Sequence, residues 1–192
     1  MTKEQCKELI LWKKQHPHLH NVGSPTDYQG IRKIHIQNWG IRDLITAIEY
    51  DMVGEVRKIS DELVFPEMVA INTWHIGGWQ DPHTDLYSNQ ELHLPKQDLQ
   101  YPSREWTLIL NLNDDFGGGR TFFPPQDLFP DGAVYTPQAG DGILFRGTEI
   151  LHGVEKVRRN FRYTISMWFS RNLEKMMRQY PTDFDKNEDT MK

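Results

Sequence analysis

The sequence predicts a mainly β domain preceded by helices, on three observations. From residue 67 onward the chain breaks into short stretches rich in β-branched and aromatic residues, EMVAINTWH, EWTLILNLN, RTFFP, AVYTP, DGILFRG and FRYTISMWF, separated by Gly, Pro and Asp. Strands this numerous suggest a sandwich or a barrel. Ahead of them, apolar residues recur at three- and four-residue steps, the period of a helix. A chain of 192 residues can bury one core without disulfides or structural metals, and two domains would be cramped in it.

The N-terminal elements follow in order. Thr2 with Gln5 three residues on forms a capping-box pattern, and Cys6, Leu9 and Ile10 share one face, so a first helix is expected from about residue 3 to 15. The turn-rich QHPHLHNVGSPTDYQG comes next, then IRKIHIQNW, where alternation of Ile34 and Ile36 reads as a strand. Ile41, Leu44, Ile45, Ile48, Met52, Val56, Ile59 and Leu63 make the strongest helical pattern, an apolar stripe expected to cover a sheet. We divide the expected single domain into a helical support at 1–66, a β core at 67–170 and a C-terminal extension at 171–192. Within the core, residues 86–103 form a polar connection of 18 residues, beyond the ~12–15 that compact domains usually allow, and a functional lid is one reading of it.

Composition narrows the function. With 26% charged residues, a mean hydropathy of -0.67 and no apolar run near the ~20 residues that span a bilayer, no membrane partner is expected. The first fifteen residues carry Lys3, Glu4, Lys7 and Glu8 where a signal peptide needs an apolar stretch, so a cytoplasmic location is expected. A net charge of -5 argues against nonspecific nucleic-acid binding. The basic run KVRRNFR reads as a solvated turn before the last strand. Cys6, the single cysteine, reads as a small buried apolar residue.

The chemistry centres on WQDPHTDLYS, where His83 and Asp85 stand one residue apart. His-x-Asp alone is commonplace. His152, in GTEILHGVEKV after the strand DGILFRG, is a partner that non-local strand pairing can bring to the same mouth of a sheet. Two imidazoles and one carboxylate make the facial triad that holds octahedral iron(II) and leaves three positions open, which a closed zinc site does not need. Ten residues further, strand alternation in FRYTISMWF puts Arg162, Thr164, Ser166 and Trp168 on one face and Tyr163, Ile165, Met167 and Phe169 on the other. An arginine aimed into a barrel needs an anion, and its planar fork suits a carboxylate. A dicarboxylate cosubstrate with a 2-oxoacid end for the iron would supply one.

The residues H83-T-D85, LNLNDDFGGGRTFFP, PQAGDGILF, H152 and R162-Y-T-I-S-M-W168 resemble, in order, the iron(II)- and 2-oxoglutarate-dependent oxygenases, in particular the prolyl 4-hydroxylase-like group, over roughly residues 67–170. The resemblance implies a double-stranded β-helix core (a jelly roll, cupin-like), with the N-terminal helices buttressing its outer sheet. It also implies His83, Asp85 and His152 as iron ligands and Arg162 as the seat of the distal carboxylate of 2-oxoglutarate. Ser166, Thr164 and Thr121 would bring hydroxyls to that cosubstrate. Two positions depart from the pattern: Asn111 stands where relatives often have tyrosine, facing inward with Ile109, and Trp74 stands at another tyrosine position, where it would wall the pocket. The implied reaction is hydroxylation of an unactivated C–H bond, with dioxygen and with ascorbate as a further candidate. A proline-containing peptide or protein is the expected substrate, and a free amino acid or other small metabolite the alternative. A metal-binding jelly-roll module without turnover is the rival of another class, and Arg162 speaks against it. Asp85 fills the position that a halogenase would vacate.

Other polar groups have plainer readings. His16, His18 and His20 in HPHLH suit a solvated turn better than a second metal site. Asp114, Asp115 and Asp141 suit turns, while Trp79 and Tyr87 are equally at home facing substrate or packing the rim.

Overall fold

The computed structural model describes residues 1–16, 31–35, 42–60, 63–86 and 103–172. The elements are α1 (Lys3–Gln15), β1 (Ile31–His35), α2 (Arg42–Ile59), β2 (Phe65–Trp74), β3 (Gln80–His83), β4 (Arg104–Asn111), β5 (Gly117–Gly118), β6 (Thr121–Phe123), β7 (Ala133–Tyr135), β8 (Gly142–Phe145), β9 (His152–Val154), β10 (Val157–Arg159) and β11 (Arg162–Ser170). They build a five-stranded sheet in the order β1-β2-β11-β4-β8, a four-stranded sheet β3-β9-β6-β7, and the small pair β10-β5. All pairings are antiparallel.

Strand β11 is the centre of the larger sheet, and all nine of its residues are buried. Its outer face, Tyr163, Ile165, Met167 and Phe169, enters the main core with Val69 and Ile71 of β2, Leu108 and Leu110 of β4, Cys6 and Leu9 of α1, and Ile48 and Val56 of α2. Each large apolar side chain buried there contributes about 1.5–3 kcal/mol, so this face carries much of the stability. Its inner face is polar. The register aligns Asn72, Thr164 and Asn111 as one rung across β2, β11 and β4, with Trp74 beside Arg162 and Trp168 beside Thr107. A smaller cluster of Ile109, Phe123 and Phe145 brings β4, β6 and β8 together.

Helix α1 starts as its capping pattern predicts: the Gln5 N–H donates to Thr2 Oγ1 at 3.2 Å and the Thr2 N–H to Gln5 Oε1 at 2.8 Å. Cys6 is buried, and burial pushes its thiol up from the ordinary range, in keeping with an inert packing role. Helix α2 corrects one expectation. It ends at Ile59, and both Ile59 (60% exposed) and Leu63 (58%) lie in solvent, because the helix outruns the patch covered by Ile48 and Val56.

Two further expectations change. QDPH, inside a segment read as a loop, is strand β3, and VRR, inside a run read as a turn, is β10. The pairing of β10 with β5 needs glycine: Gly118 has φ +65°, and a Cβ there would collide with the Lys156 carbonyl. The turn itself falls at Asn160, with φ +55°, while Arg158 and Arg159 are exposed as expected. The strand expected over 31–39 is seen as Ile31–His35. The remainder of it, the residues 87–102 of the expected lid, Tyr87, His18, His20 and the extension beyond 172 lie outside the described residues. Among the described residues no helix is long and apolar enough to cross a membrane.

Candidate active site

The pairing of β3 with β9 places His83 directly opposite His152, with the imidazole centroids 4.4 Å apart. Asp85, two residues beyond β3, turns back between them. Its Oδ1 lies 3.8 Å from His83 Nε2 and its Oδ2 lies 3.7 Å from His152 Nε2. One ligand atom from each residue can be chosen so that all lie within 4.8 Å of one another, which no other His, Cys, Asp or Glu group does among the described residues.

The histidines are oriented from behind. His83 Nδ1 lies 2.9 Å from the Asp81 carbonyl and His152 Nδ1 lies 3.0 Å from the Ile150 carbonyl, each two residues back along the chain. A carbonyl only accepts, so each Nδ1 carries a proton, and Nε2, on the Asp85 side, is the atom each ring can offer a metal. Burial pushes the Asp85 carboxyl up, but His152, His83, Arg104 and a hydrogen bond from Thr107 outweigh it and hold the group below the usual carboxylate range. Two imidazole nitrogens and one carboxylate are the donor set of a divalent iron site, and the residues present fit that ion.

Arg162 lies on the wall of the same cavity, a space of about 80 Å3 between the two sheets. Its side chain is fully buried. Nε and Nη2 donate to Asn111 Oδ1 at 3.3 and 3.1 Å, and Nη2 also donates to Thr121 Oγ1 at 3.0 Å. The guanidinium stands over the rings of Trp74 and Phe116, 5.7 Å from each centroid. Among the described residues its Nη1 has no hydrogen-bond partner, and no carboxylate pairs with it. Burial pushes the guanidinium down to about 9, against a smaller upward pull from Tyr135. A buried cation without a counter-charge is costly, so the residues fit an anionic ligand.

The remaining expected residues gather on the same wall. Ser166 Oγ accepts from Asn72 Nδ2 at 2.7 Å, and Thr164 Oγ1 accepts from Trp74 Nε1 at 3.2 Å and from Asn72 Nδ2 at 3.4 Å. Trp74 therefore walls the pocket with its indole N–H already engaged. The Asn111 amide nitrogen is buried without a partner among the described residues, its oxygen being taken by Arg162. Asp114 Oδ2 accepts the Ala139 N–H and Asp115 Oδ1 accepts from Asn113, the turn roles expected of them.

Sequence reasoning missed Asn72, Thr107 and Gln80. Asn72 shares the inward parity of Trp74, and Thr107 that of Ile109 and Asn111, so both were open to the alternation argument used for β11. Gln80, whose Nε2 lies 3.2 Å from His83 Nε2, had no such signal, because β3 was not recognised as a strand. Size alone would also mislead: a larger cleft of about 820 Å3 lies between α1 and the outer side of the larger sheet. It holds no described metal-donor cluster, so the small cavity with converging charges is the better candidate.

Comparison with known proteins now bears on the fold. Over 91 residues, 46% of this chain, it is 40% identical to prolyl 3-hydroxylase 1 of Homo sapiens. The match spans 12% of that protein's length. Among solved structures, a prolyl-4-hydroxylase of Pseudomonas putida aligns with a TM-score of 0.67 at 16% identity, covering 90% of this chain and 89% of that one. At that identity the likeness to solved structures shows a shared fold. The two sheets form a double-stranded β-helix core. A prolyl hydroxylase of Trichoplax adhaerens, solved in complex with a hypoxia inducible factor oxygen degradation domain peptide fragment, aligns with a TM-score of 0.66 at 12% identity, over 90% of this chain and 80% of its own. No family model matches the chain.

Proposed function

We propose that this oxygenase-fold chain is an iron(II)- and 2-oxoglutarate-dependent dioxygenase that hydroxylates an unactivated C–H bond of a peptidyl proline. The observation that carries the reading is one cavity holding the His83, Asp85 and His152 donors together with Arg162, a buried cation lacking a counter-charge. His83, Asp85 and His152 would hold the iron. The bound metal, with 2-oxoglutarate and dioxygen, supplies the oxidising power, and ascorbate is the accessory reductant to be tried.

The chain's own residues bind and orient. Arg162 receives the distal carboxylate of the cosubstrate through Nη1, with Asn111 and Thr121 fixing the plane of its fork. The buried Asn111 amide is the adjacent donor without a partner among the described residues. Thr164 and Ser166 complete the polar floor, held by Trp74 and Asn72. Burial of this wall excludes water from the reacting centre. A proline-containing peptide is supported as substrate by the names of the relatives and by the peptide complex among the neighbours.

The test is release of succinate from 2-oxoglutarate by purified protein with iron(II), together with a +16 mass shift on proline-containing peptides. Turnover with peptides, lost in His152→Ala, is the expected result. Modification confined to free amino acids would shift the substrate to a small metabolite. Metal uptake without any succinate would leave a binding module.

A further inference from the structure

We infer that Thr107 is a positioning residue that fixes which oxygen of Asp85 is left for a metal, keeping this carboxylate a one-oxygen ligand. The inference rests on the proposed metal reading of the site.

Asp85 stands almost symmetrically between the two imidazoles, with Oδ1 3.8 Å from one Nε2 and Oδ2 3.7 Å from the other. The histidines therefore do not distinguish its oxygens. Thr107 does. It is 2% exposed on the inner face of β4, and its hydroxyl donates to Asp85 Oδ2 at 2.5 Å. The backbone of Asp85 is held as well: its N–H donates to the Gly147 carbonyl at 2.8 Å, and Arg104 Nη1 donates to its carbonyl at 3.4 Å. A Cβ at Gly147 would collide with both the Thr107 hydroxyl and Asp85 Oδ2, so the bare backbone there makes room for this contact. Three separate segments, β4, the stretch after β8 and the turn after β3, thus converge on one carboxylate.

The count of coordination positions gives this arrangement a use. An octahedral ion that takes two imidazoles and one carboxylate oxygen has three positions left, enough for a chelating 2-oxoacid and dioxygen together. If the carboxylate supplied both oxygens, two would remain, and one co-reactant would be shut out. Donation from Thr107 engages a lone pair of Oδ2 and weakens that oxygen as a second ligand, while Oδ1 keeps its own lone pairs. A hydroxyl serving only to satisfy a buried carboxylate would stabilise the fold but have no effect on coordination.

Cobalt(II) is the probe, added to metal-free protein and followed by its visible absorption, which reports coordination number. Thr107→Val and Thr107→Ala are expected to weaken cobalt binding about 10- to 100-fold and to change the band shape, while Thr107→Ser keeps affinity within ~3-fold of wild type. Thr107→Ala and Thr107→Ser keep the test decisive if valine disturbs β4. Wild-type affinity and spectrum in both the Val and Ala variants would overturn the inference, even with a lowered melting temperature in the metal-free state. Failure of the wild type itself to take up cobalt would overturn the metal reading, and this inference with it.

Discussion

Arg120 and Arg162 share a side chain and differ in everything around it. Arg120 is 44% exposed and grips Glu155 with two hydrogen bonds of 2.8 and 2.7 Å. Arg162 is fully buried and, among the described residues, donates hydrogen bonds only to the neutral Asn111 and Thr121. Thr121 is even the sequence neighbour of Arg120, so one short segment serves both. The chain sets a bidentate carboxylate where solvent makes it worth ~0–1 kcal/mol and withholds one where burial would make it matter far more. An arrangement chosen for stability alone would do the reverse, which fits the proposed role of Arg162 as the seat of an anionic ligand.

The sharpest way to break the contrast is to remove the buried cation. Arg162→Met should weaken 2-oxoglutarate binding by about 2–5 kcal/mol, at least roughly 30-fold, measurable by calorimetry in the presence of metal. The same variant should raise the unfolding free energy of the ligand-free protein by about 1–3 kcal/mol in urea titration, because an unpaired buried charge is replaced by an apolar chain. A variant that loses both binding and stability would argue for a structural cation.

Supplying the missing carboxylate from within is the converse change. In Asn111→Asp the acid stands where Arg162 already donates twice, so cosubstrate binding should weaken by about 1.5–3 kcal/mol while the melting temperature of the ligand-free protein rises. Unchanged binding would mean that the distal carboxylate does not reach this guanidinium. The natural ligand should act likewise: 2-oxoglutarate at a hundred times its wild-type Kd should add about 2.7 kcal/mol to stability, read as a thermal shift that Arg162→Met cuts to below about 1 kcal/mol at the same concentration.

The exposed pair should give the smallest effect. The hydrogen bond from Arg120 holds the Glu155 carboxyl below its ordinary value, against a smaller opposing effect of burial. The folded pKa being the lower one, the pair's contribution is present above the ordinary carboxylate pKa and is lost as pH falls through the depressed value. Arg120→Ala should cost less than ~1 kcal/mol at neutral pH, converge with wild type in acid, and leave cosubstrate affinity unchanged.

What was legible in the sequence followed from periodicity and spacing. The two faces of β11, the inward turn of Asn111 and the capped start of α1 need only the chain's own repeat, and the structure has each of them. The gathering of His83, Asp85 and His152 was legible from the donor types and from the order of motifs shared with the oxygenases the chain resembles, although the β3–β9 pairing that produces it was not. The short pieces were not. QDPH carries a proline and no apolar alternation, so its strand character comes only from pairing with β9, a partner some seventy residues away. Asn72 and Thr107 sit in strands otherwise read by their apolar residues, and nothing local separates a buried amide or hydroxyl with a task from one merely satisfied. Ile59 and Leu63 failed in the opposite direction: their period is helical, but period does not say where the surface beneath a helix ends.

Strand β11 joins the core and the cavity wall in a single backbone, and this has a consequence for how the sequence can drift. Shifting its register by one residue would turn Ile165 and Met167 toward the polar wall and bury Thr164 and Ser166 among the core side chains. A single-codon insertion or deletion between Arg162 and Phe169 therefore strikes stability and chemistry together, with no intermediate variant that retains either. Before the Asn160 turn, the exposed side chains of Arg158 and Arg159 are far freer to be substituted. Lineages of this protein should accordingly carry point substitutions along β11 but no gaps within it.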